Sequence, residues 1–133
     1  MTQDPAEVVR ELNRRFQAGD RDGAAALLHP ELVIEQPGSL PHGGRHHGLD
    51  GMGQMGATFA EHWTRTIADP RITGCDDGTV LQRTTQTWTS VRTGRSATTE
   101  VVELLTVDDG RVREIRVFPQ DTLALLATRD DVA

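Results

Sequence analysis

The chain has one cysteine, no tyrosine and few other aromatic residues among its 133 residues. The single cysteine, Cys75, excludes an internal disulfide and any zinc cluster built from two or more cysteines. Without tyrosine, no reaction that needs a phenol hydroxyl is available. Three phenylalanines and two tryptophans are too few for base stacking along a nucleic acid.

Positive charge and long apolar runs are also scarce. Lysine and arginine number 14 against 20 acidic residues, a net charge of −6, which disfavours a nucleic-acid surface. No apolar run reaches membrane-spanning length, and the first residues, MTQDPAEVVRELNRRF, have no apolar core of a signal peptide. We therefore expect one domain over residues 1–133 in a cytoplasmic protein that contacts neither membrane nor nucleic acid.

The first half of the chain predicts three helices. The letters DPAE (4–7) combine a capping residue, a first-position proline and a glutamate three residues after the cap, and Gly19 ends this helix. Asp20 begins a second short helix that His29-Pro30 ends. A third helix begins at an Asp50 cap and carries an apolar face: Met52, Met55 and Phe59, with His62 or Trp63 next along it.

The second half predicts strands. One strand, LVIEQ (32–36), precedes the third helix and is followed by a loop over 37–50. After Asp69-Pro70 the apolar period becomes two, and 71–75 is a candidate for an additional strand. Three strands and a closing short helix follow: 79–90, 96–110, 111–118 and 119–127, with turns at Thr93-Gly94 and Asp109-Gly110. This order predicts an α+β fold in which helices cover one face of a curved, mainly antiparallel sheet around a pocket.

Several stretches match a known family. They are the AGD that ends the first helix (18–20), ALLHP (26–30), QPGSLP (36–41), the DDGRVREIRVF hairpin (108–118) and the LALL near the end. With them the chain resembles the nuclear-transport-factor-2-like superfamily, and within it the SnoaL-like polyketide cyclases and ketosteroid-isomerase-like proteins. The resemblance implies a cone-shaped α+β barrel, a homodimer and an internal apolar pocket. Members include isomerases, cyclases and non-catalytic binding modules, so the fold leaves the chemistry open.

Three departures from the family pattern bear on the chemistry. Gln36 stands where the isomerase-like members place an aspartate base, and an amide cannot take a proton. Leu12 stands at the position of their phenol donor, and Val117 at the position of the acid–base aspartate of the cyclases. The resemblance leaves Glu103 at a strand position where relatives carry an aspartate or a histidine facing the pocket.

Glu103 is the carboxyl most consistent with a catalytic role. On its strand it shares a phase with Val101 and Leu105, which places the carboxyl on an apolar face where burial raises the pKa. The opposite phase, which includes Glu100, alternates almost as well, so exposure of Glu103 to solvent stays open. A neutral carboxyl could donate a hydrogen bond to a developing oxyanion or act as a general acid.

The letters LPHGGRHHG (40–48) place three histidines around a glycine pair. The resemblance puts His42 and His46 at the pocket mouth, where an imidazole could be a general base near neutral pH, whereas His47 alternates toward solvent. Their spacing fits no common zinc pattern, so we expect neither metal nor cofactor. A metal-dependent enzyme that uses residues 42–47 is the weaker alternative.

A further motif, GMGQMG (51–56), matches the dinucleotide fingerprint by letters but not by context. The preceding strand ends about fifteen residues earlier and the downstream sheet is antiparallel, whereas the fingerprint needs a parallel βαβ unit. These glycines instead suggest close packing of the third helix.

The sequence thus favours a cofactor-independent enzyme with proton-transfer chemistry, an isomerase or cyclase acting on a small apolar polyketide- or steroid-like molecule. The expected catalytic residues are Glu103, His46 and His42. The expected pocket wall comprises eight residues: Gln36, Ile34, Met55, Phe59, Trp63, Trp88, Val101 and Val117. The alternative is a non-catalytic ligand-binding or assembly module of the same fold.

Overall fold

The structure is a computed structural model that describes residues 4–130. The ends of the predicted 1–133 domain, residues 1–3 and 131–133, lie outside the described residues. The elements follow in this order: α1 (Pro5–Gln17), α2 (Arg21–Ala26), β1 (Leu28–Gln36), β2 (Gly44–His47), α3 (Gly48–His62), β3 (Trp63–Gly74), β4 (Val80–Ser90), β5 (Ser96–Asp108), β6 (Arg111–Pro119) and α4 (Thr122–Ala127).

The first helix begins as its sequence predicts. The Asp4 carboxylate accepts a hydrogen bond from the Ala6 amide at 3.1 Å, and Pro5 occupies the first helical position. Gly19 adopts a φ of 74° just after the helix, a conformation that glycine takes without strain. Three buried apolar residues then fix α1 against the sheet: Val8, Val9 and Leu12.

The second helix is shorter than predicted. It ends at Ala26 rather than at His29-Pro30, because the chain there already belongs to the sheet. The Leu27 carbonyl accepts a hydrogen bond from the Val112 amide at 2.8 Å, and Leu28 on β1 is the register partner of Val112 on the neighbouring β6. Sheet pairing therefore overrides the local helical pattern.

All six strands form one sheet, in the order β2-β1-β6-β5-β4-β3. Neighbouring strands are antiparallel except β1 and β6, which are parallel. The edge strands β2 and β3 do not pair with each other, so the cone stays open. The mainly antiparallel α+β architecture predicted from the sequence is confirmed.

The histidine loop contains a strand that the sequence analysis missed. Residues Gly44–His47 form β2 against β1, with His46 opposite Ile34. The prediction that Asp50 caps the third helix is also wrong. The cap is His47, without a side-chain hydrogen bond, and Asp50 lies in the first turn.

The third helix ends at His62, and Trp63 begins β3 instead of continuing the helix. The strand therefore starts well before Asp69-Pro70, where the period-two pattern was expected to begin. An irregular register between Ala68 and Arg71, with Asp69 at a φ of 53°, interrupts the alternation in this edge strand.

Two clusters of apolar side chains fill the interior. One lies between α1 and the middle of the sheet and contains residues with no solvent exposure, among them Val9, Leu32 and Val112. The other joins α3, α4 and the start of β3 and comprises Leu40, Phe59, Trp63, Trp88 and Leu125. Between them, the concave face of the sheet carries polar groups.

Candidate active site

Buried polar side chains line the centre of the concave face. On β4, the residues Gln82, Thr84 and Gln86 are all buried and alternate in phase with Val80 and Trp88. A strand of this kind normally fills its buried face with apolar groups, so a run of buried amides and hydroxyls calls for partners. Sequence reasoning missed these residues, although their phase with Val80 and Trp88 was a readable signal.

Of these residues, Gln82 belongs to a chain of hydrogen bonds that runs from Asn13 on α1 to Glu103 on β5. The Asn13 amide nitrogen on α1 donates to the Gln82 side-chain oxygen, and Gln82 Nε2 donates to Glu103 Oε1 at 2.8 Å. Gln82 and Glu103 are also register partners on β4 and β5. Within the described chain, Glu103 Oε2 has no hydrogen-bond partner and is free to carry or receive a proton.

The half-buried Glu103 lies on the concave phase, beside the buried Val101 and Leu105, rather than with the exposed Glu100. Burial, the largest effect, raises the pKa of the Glu103 carboxyl above its ordinary value. The Gln82 hydrogen bond and the positive charge of Arg65 lower that pKa in part. The net result is a carboxyl whose pKa lies above the ordinary value of a glutamate.

Arg65 is the cation of this face and was not anticipated from the sequence. It lies opposite Trp88 in the β3–β4 register, and its guanidinium carbon is 4.8 Å from the centre of the Phe59 ring. The prediction of a later start for this strand hid Arg65, because it assigned the segment before Asp69 to no strand at all. The early start of β3 brings this charge to the pocket side.

His42 lies inside the protein rather than at the pocket mouth. Its side chain is 4% exposed, and its ring centre is 5.2 Å from that of Phe59, 6.0 Å from Trp63 and 5.8 Å from Trp88. We call these four residues the ring cluster. His42 Nδ1 is buried without a hydrogen-bond partner among the described residues.

Burial is the largest of the effects that lower the pKa of His42 to about 4, and the nearby Arg65, His46 and His62 add to it. The imidazole is therefore neutral at pH 7 and holds its proton weakly at lower pH. Such a ring can exchange hydrogen bonds with a ligand but is a poor proton acceptor.

His46 and His47 lie on opposite sides of β2. His46 is half-buried, and its Nε2 donates to the His42 carbonyl at 2.8 Å, which leaves Nδ1 as the acceptor nitrogen. His47 is exposed. Across residues 4–130, no group of three histidine, cysteine, aspartate or glutamate side chains is arranged to hold a metal ion.

Six of the eight predicted wall residues belong to the two apolar clusters, and Gln36 and Val101 lie outside them. Ile34, Met55 and Val117 pack with the cluster under α1, and Gln36 Nε2 lies 3.5 Å from Met55 Sδ. The other four are buried, three of them in the ring cluster: Phe59, Trp63, Trp88 and Val101. Val117 is the register partner of Glu103, which connects the first group to the carboxyl.

An open groove of about 700 Å³ lies elsewhere on the molecule, beside Pro30, Val33, His47 and Glu114. Glu103 is not among its walls. In the part of the chain that the structure describes, no helix combines the length and apolarity needed to cross a bilayer.

Comparison with solved structures identifies the fold. An NTF2-like protein from Burkholderia xenovorans LB400 superimposes with a TM-score of 0.83 at 24% identity, covering 98% of each chain. TerC, co-crystallised with polyporic acid, gives a TM-score of 0.80 at 24% identity over 95% of this chain and 98% of its own. A candidate polyketide cyclase from Pseudomonas putida KT2440 gives 0.76 at 14% identity over 97% and 100%.

No curated protein sequence matches the chain. The model of the SnoaL-like domain, however, matches residues 9–115, which include most of α1, the histidine segment, Arg65 and Glu103. The chain belongs to the SnoaL-like domain family, with the nuclear-transport-factor-2-like fold.

Proposed function

We propose that the protein is a cofactor-independent enzyme that moves a proton on a small, largely apolar molecule bound against the concave face. The observation that carries this proposal is the chain from Asn13 through Gln82 to Glu103. Asn13 donates to the Gln82 oxygen and Gln82 donates to Glu103 Oε1, so Oε2 is the atom left for chemistry. A carboxyl with a raised pKa can serve both as base and as acid near neutral pH.

The reaction that fits these groups is a proton shift next to a carbonyl. Ionised Glu103 takes a proton from the carbon beside the ligand carbonyl, and the C–H electron pair moves into the enolate. Protonated Glu103 then returns the proton to another atom of the same ligand, so no oxidant, reductant or cofactor is consumed. The neutral His42 and the free Nδ1 of His46 supply hydrogen-bonding groups for the ligand.

The proposed substrate class is polyketide- or steroid-like. The interior beside Glu103 is built from apolar and aromatic residues, the buried Ile34, Phe59, Trp88 and Val101 and the partly buried Met55 and Val117, which suits a ring system with few polar groups. Among proteins of this fold, TerC was co-crystallised with polyporic acid, and a Pseudomonas putida relative is a candidate polyketide cyclase. Both are consistent with a cyclic, oxygenated substrate.

Replacement of Glu103 by Gln tests the proposal. We expect the variant to lose at least about a hundredfold in the rate at which the protein exchanges the α-protons of 1-tetralone, a bicyclic ketone, for deuterium. Proton NMR in D₂O measures that rate. Glu100→Gln, an exposed change on the same strand, is the matched control and keeps the native rate.

Equal exchange rates in the native protein and in Glu103→Gln contradict the assignment of Glu103. Exchange by the native protein no faster than the buffer background contradicts the reaction class.

A non-catalytic binding module is the second candidate. Gln36 and Val117 lack the acid–base groups that relatives carry. The Gln36 amide contacts Met55 Sδ, which is not an acid or a base. A binding module would be stabilised against heat by a ligand without converting it.

We further propose a cytoplasmic homodimer, as the family resemblance implies, with Glu114, Arg116 and Phe118 on the contact face.

A further inference from the structure

Two charged side chains of opposite sign lie on the concave phase of β3 and β5, Arg65 and Glu103. They form no ion pair with each other, and Arg65 forms neither a hydrogen bond nor an ion pair with any described residue. Three other arginines, Arg21, Arg71 and Arg111, also form no side-chain hydrogen bond or ion pair among the described residues, but of these four only Arg65 lies over an aromatic ring. Seven other arginines are paired with carboxylates: Arg10, Arg14, Arg15, Arg45, Arg83, Arg113 and Arg116.

The position of Arg65 suits a ligand better than it suits an internal partner. β3 is an edge strand, and Arg65 is exposed, so a molecule entering between β3 and α3 reaches it first. The ring of Phe59 on α3 lies under the guanidinium at 4.8 Å, which holds the flat group in place. The donor edge of the guanidinium thereby stays available.

The surroundings select the kind of ligand. Arg65 acts electrostatically on both Glu103 and His42, so it is close to the carboxyl and to the ring cluster at once. A cationic ligand would be repelled by Arg65, and a wholly apolar one would leave its five donors without a partner. A guanidinium pairs best with a planar anion that offers two oxygens, such as a carboxylate, which accepts two parallel hydrogen bonds.

We propose that Arg65 binds the carboxylate of an apolar ring compound whose reacting carbonyl faces Glu103. The preferred substrate is then an apolar ring compound that carries an acid group, and a neutral ketone such as 1-tetralone reaches the same carboxyl with weaker binding. This inference rests on the proposed function, because proton transfer at Glu103 decides which end of the ligand faces Glu103 and which end faces Arg65. It adds a specificity residue and a substrate charge that the proton chemistry alone does not require.

The test compares two probes that differ in charge but little in shape, 2-naphthoate and 2-naphthamide. Isothermal titration calorimetry measures their dissociation constants with the native protein and with Arg65→Met, Arg65→Lys and Arg83→Met. Arg83 is the matched control, because it is an exposed arginine on β4 whose partner is Glu100 at 3.6 Å. Circular dichroism checks that each variant is folded.

We expect the native protein to bind the acid at least about tenfold more tightly than the amide. Arg65→Met loses that preference by weakening only the acid, Arg65→Lys keeps part of it, and Arg83→Met keeps all of it. Equal binding of acid and amide by the native protein, no binding of the acid, or an unchanged preference in Arg65→Met overturns the proposal. The first two outcomes need no variant and so do not depend on whether Arg65→Met folds.

Glu103→Gln separates this inference from the proposed function. The anion preference resides in Arg65 and persists in Glu103→Gln, whereas proton exchange disappears. If Glu103→Gln exchanges protons at the native rate but still prefers the acid, the proton-transfer proposal fails and the Arg65 site stands. If exchange is lost and no preference for the acid exists, the Arg65 site fails and the proton-transfer proposal stands.

Discussion

Burial shifts the pKa values of the half-buried Glu103 and the buried His42 in opposite directions. The carboxyl pKa rises because its charged form is an anion, and the imidazole pKa falls because its charged form is a cation. Both groups are therefore driven toward their neutral forms. The sequence identified these two residues as candidates, but it predicted the pocket mouth for His42, where the ring would stay solvated.

The buried imidazole predicts acid sensitivity. The pKa of His42 falls from 6.5 to about 4 in the folded protein, so between these values the unfolded chain binds the proton and the folded chain does not. The contribution of His42 to the free energy of unfolding therefore falls as pH drops from 7 to 4, by about 3 kcal/mol at most. Urea unfolding at several pH values measures this.

His42→Phe removes the titrating group while it keeps an aromatic ring in the ring cluster, so the free energy of unfolding of the native protein minus that of the variant falls as pH drops over this range. His47→Gln is the control, since His47 is exposed, and it keeps the native profile. A native-like acid profile in His42→Phe would show that His42 is not buried in its neutral form.

At the scale of elements, a helix, strand or turn was predictable where residues close in sequence determine it. The cap of α1, the strands β4 to β6 and the Asp109-Gly110 turn, with φ values of 53° and 73°, all follow from nearby residues. The errors fall where distant segments decide. Strand β2 exists only because β1 pairs with it, and β3 starts at Trp63 because ten registered pairs hold it to β4.

The same dependence explains which site residues were missed. Arg65 reaches the concave face only through the early start of β3. Asn13 matters only because α1 lies over Gln82, and no spacing within α1 reveals that contact. Glu103 was predictable because its own strand shows the alternation that places it.

The glycines of α3 provide a prediction at this scale. A Cβ at Gly53 would meet nothing within 4 Å, whereas one at Gly51 would lie 3.1 Å from the His46 backbone carbon. Only Gly51 therefore supports the interpretation that the GMGQMG glycines allow close packing. We expect Gly53→Ala to raise the free energy of unfolding by about 0.5–1 kcal/mol, because alanine loses less backbone entropy in a helix.

Gly51→Ala is the matched comparison in the same helix, and the close approach of His46 cancels the gain there. Chemical denaturation of both variants measures the difference. Equal stabilisation by the two substitutions would mean that α3 does not pack closely on β2.

At the scale of the whole molecule, the carboxyl of Glu103 depends on parts of the chain that lie far apart in sequence. Asn13 on α1, Gln82 on β4 and Glu103 on β5 are joined only when the helix closes over the curved sheet. The raised pKa is thus a property of the assembled cone. The contribution of Glu103 to stability is full below the unfolded pKa of 4.5 and is lost as pH rises through the higher folded pKa, since the folded carboxyl holds its proton longer.

The measurement that tests this account most directly is a carbon-13 NMR titration of the Glu103 carboxyl, which needs no substrate. Glu103→Gln assigns the signal by its disappearance, and the exposed Glu100 serves as the internal reference. We predict that Glu103 titrates at clearly higher pH than Glu100, because desolvation outweighs the Gln82 hydrogen bond and the charge of Arg65. A Glu103 pKa equal to or below that of Glu100 would contradict the account, because such a carboxyl would be a permanently ionised surface group and not a proton carrier.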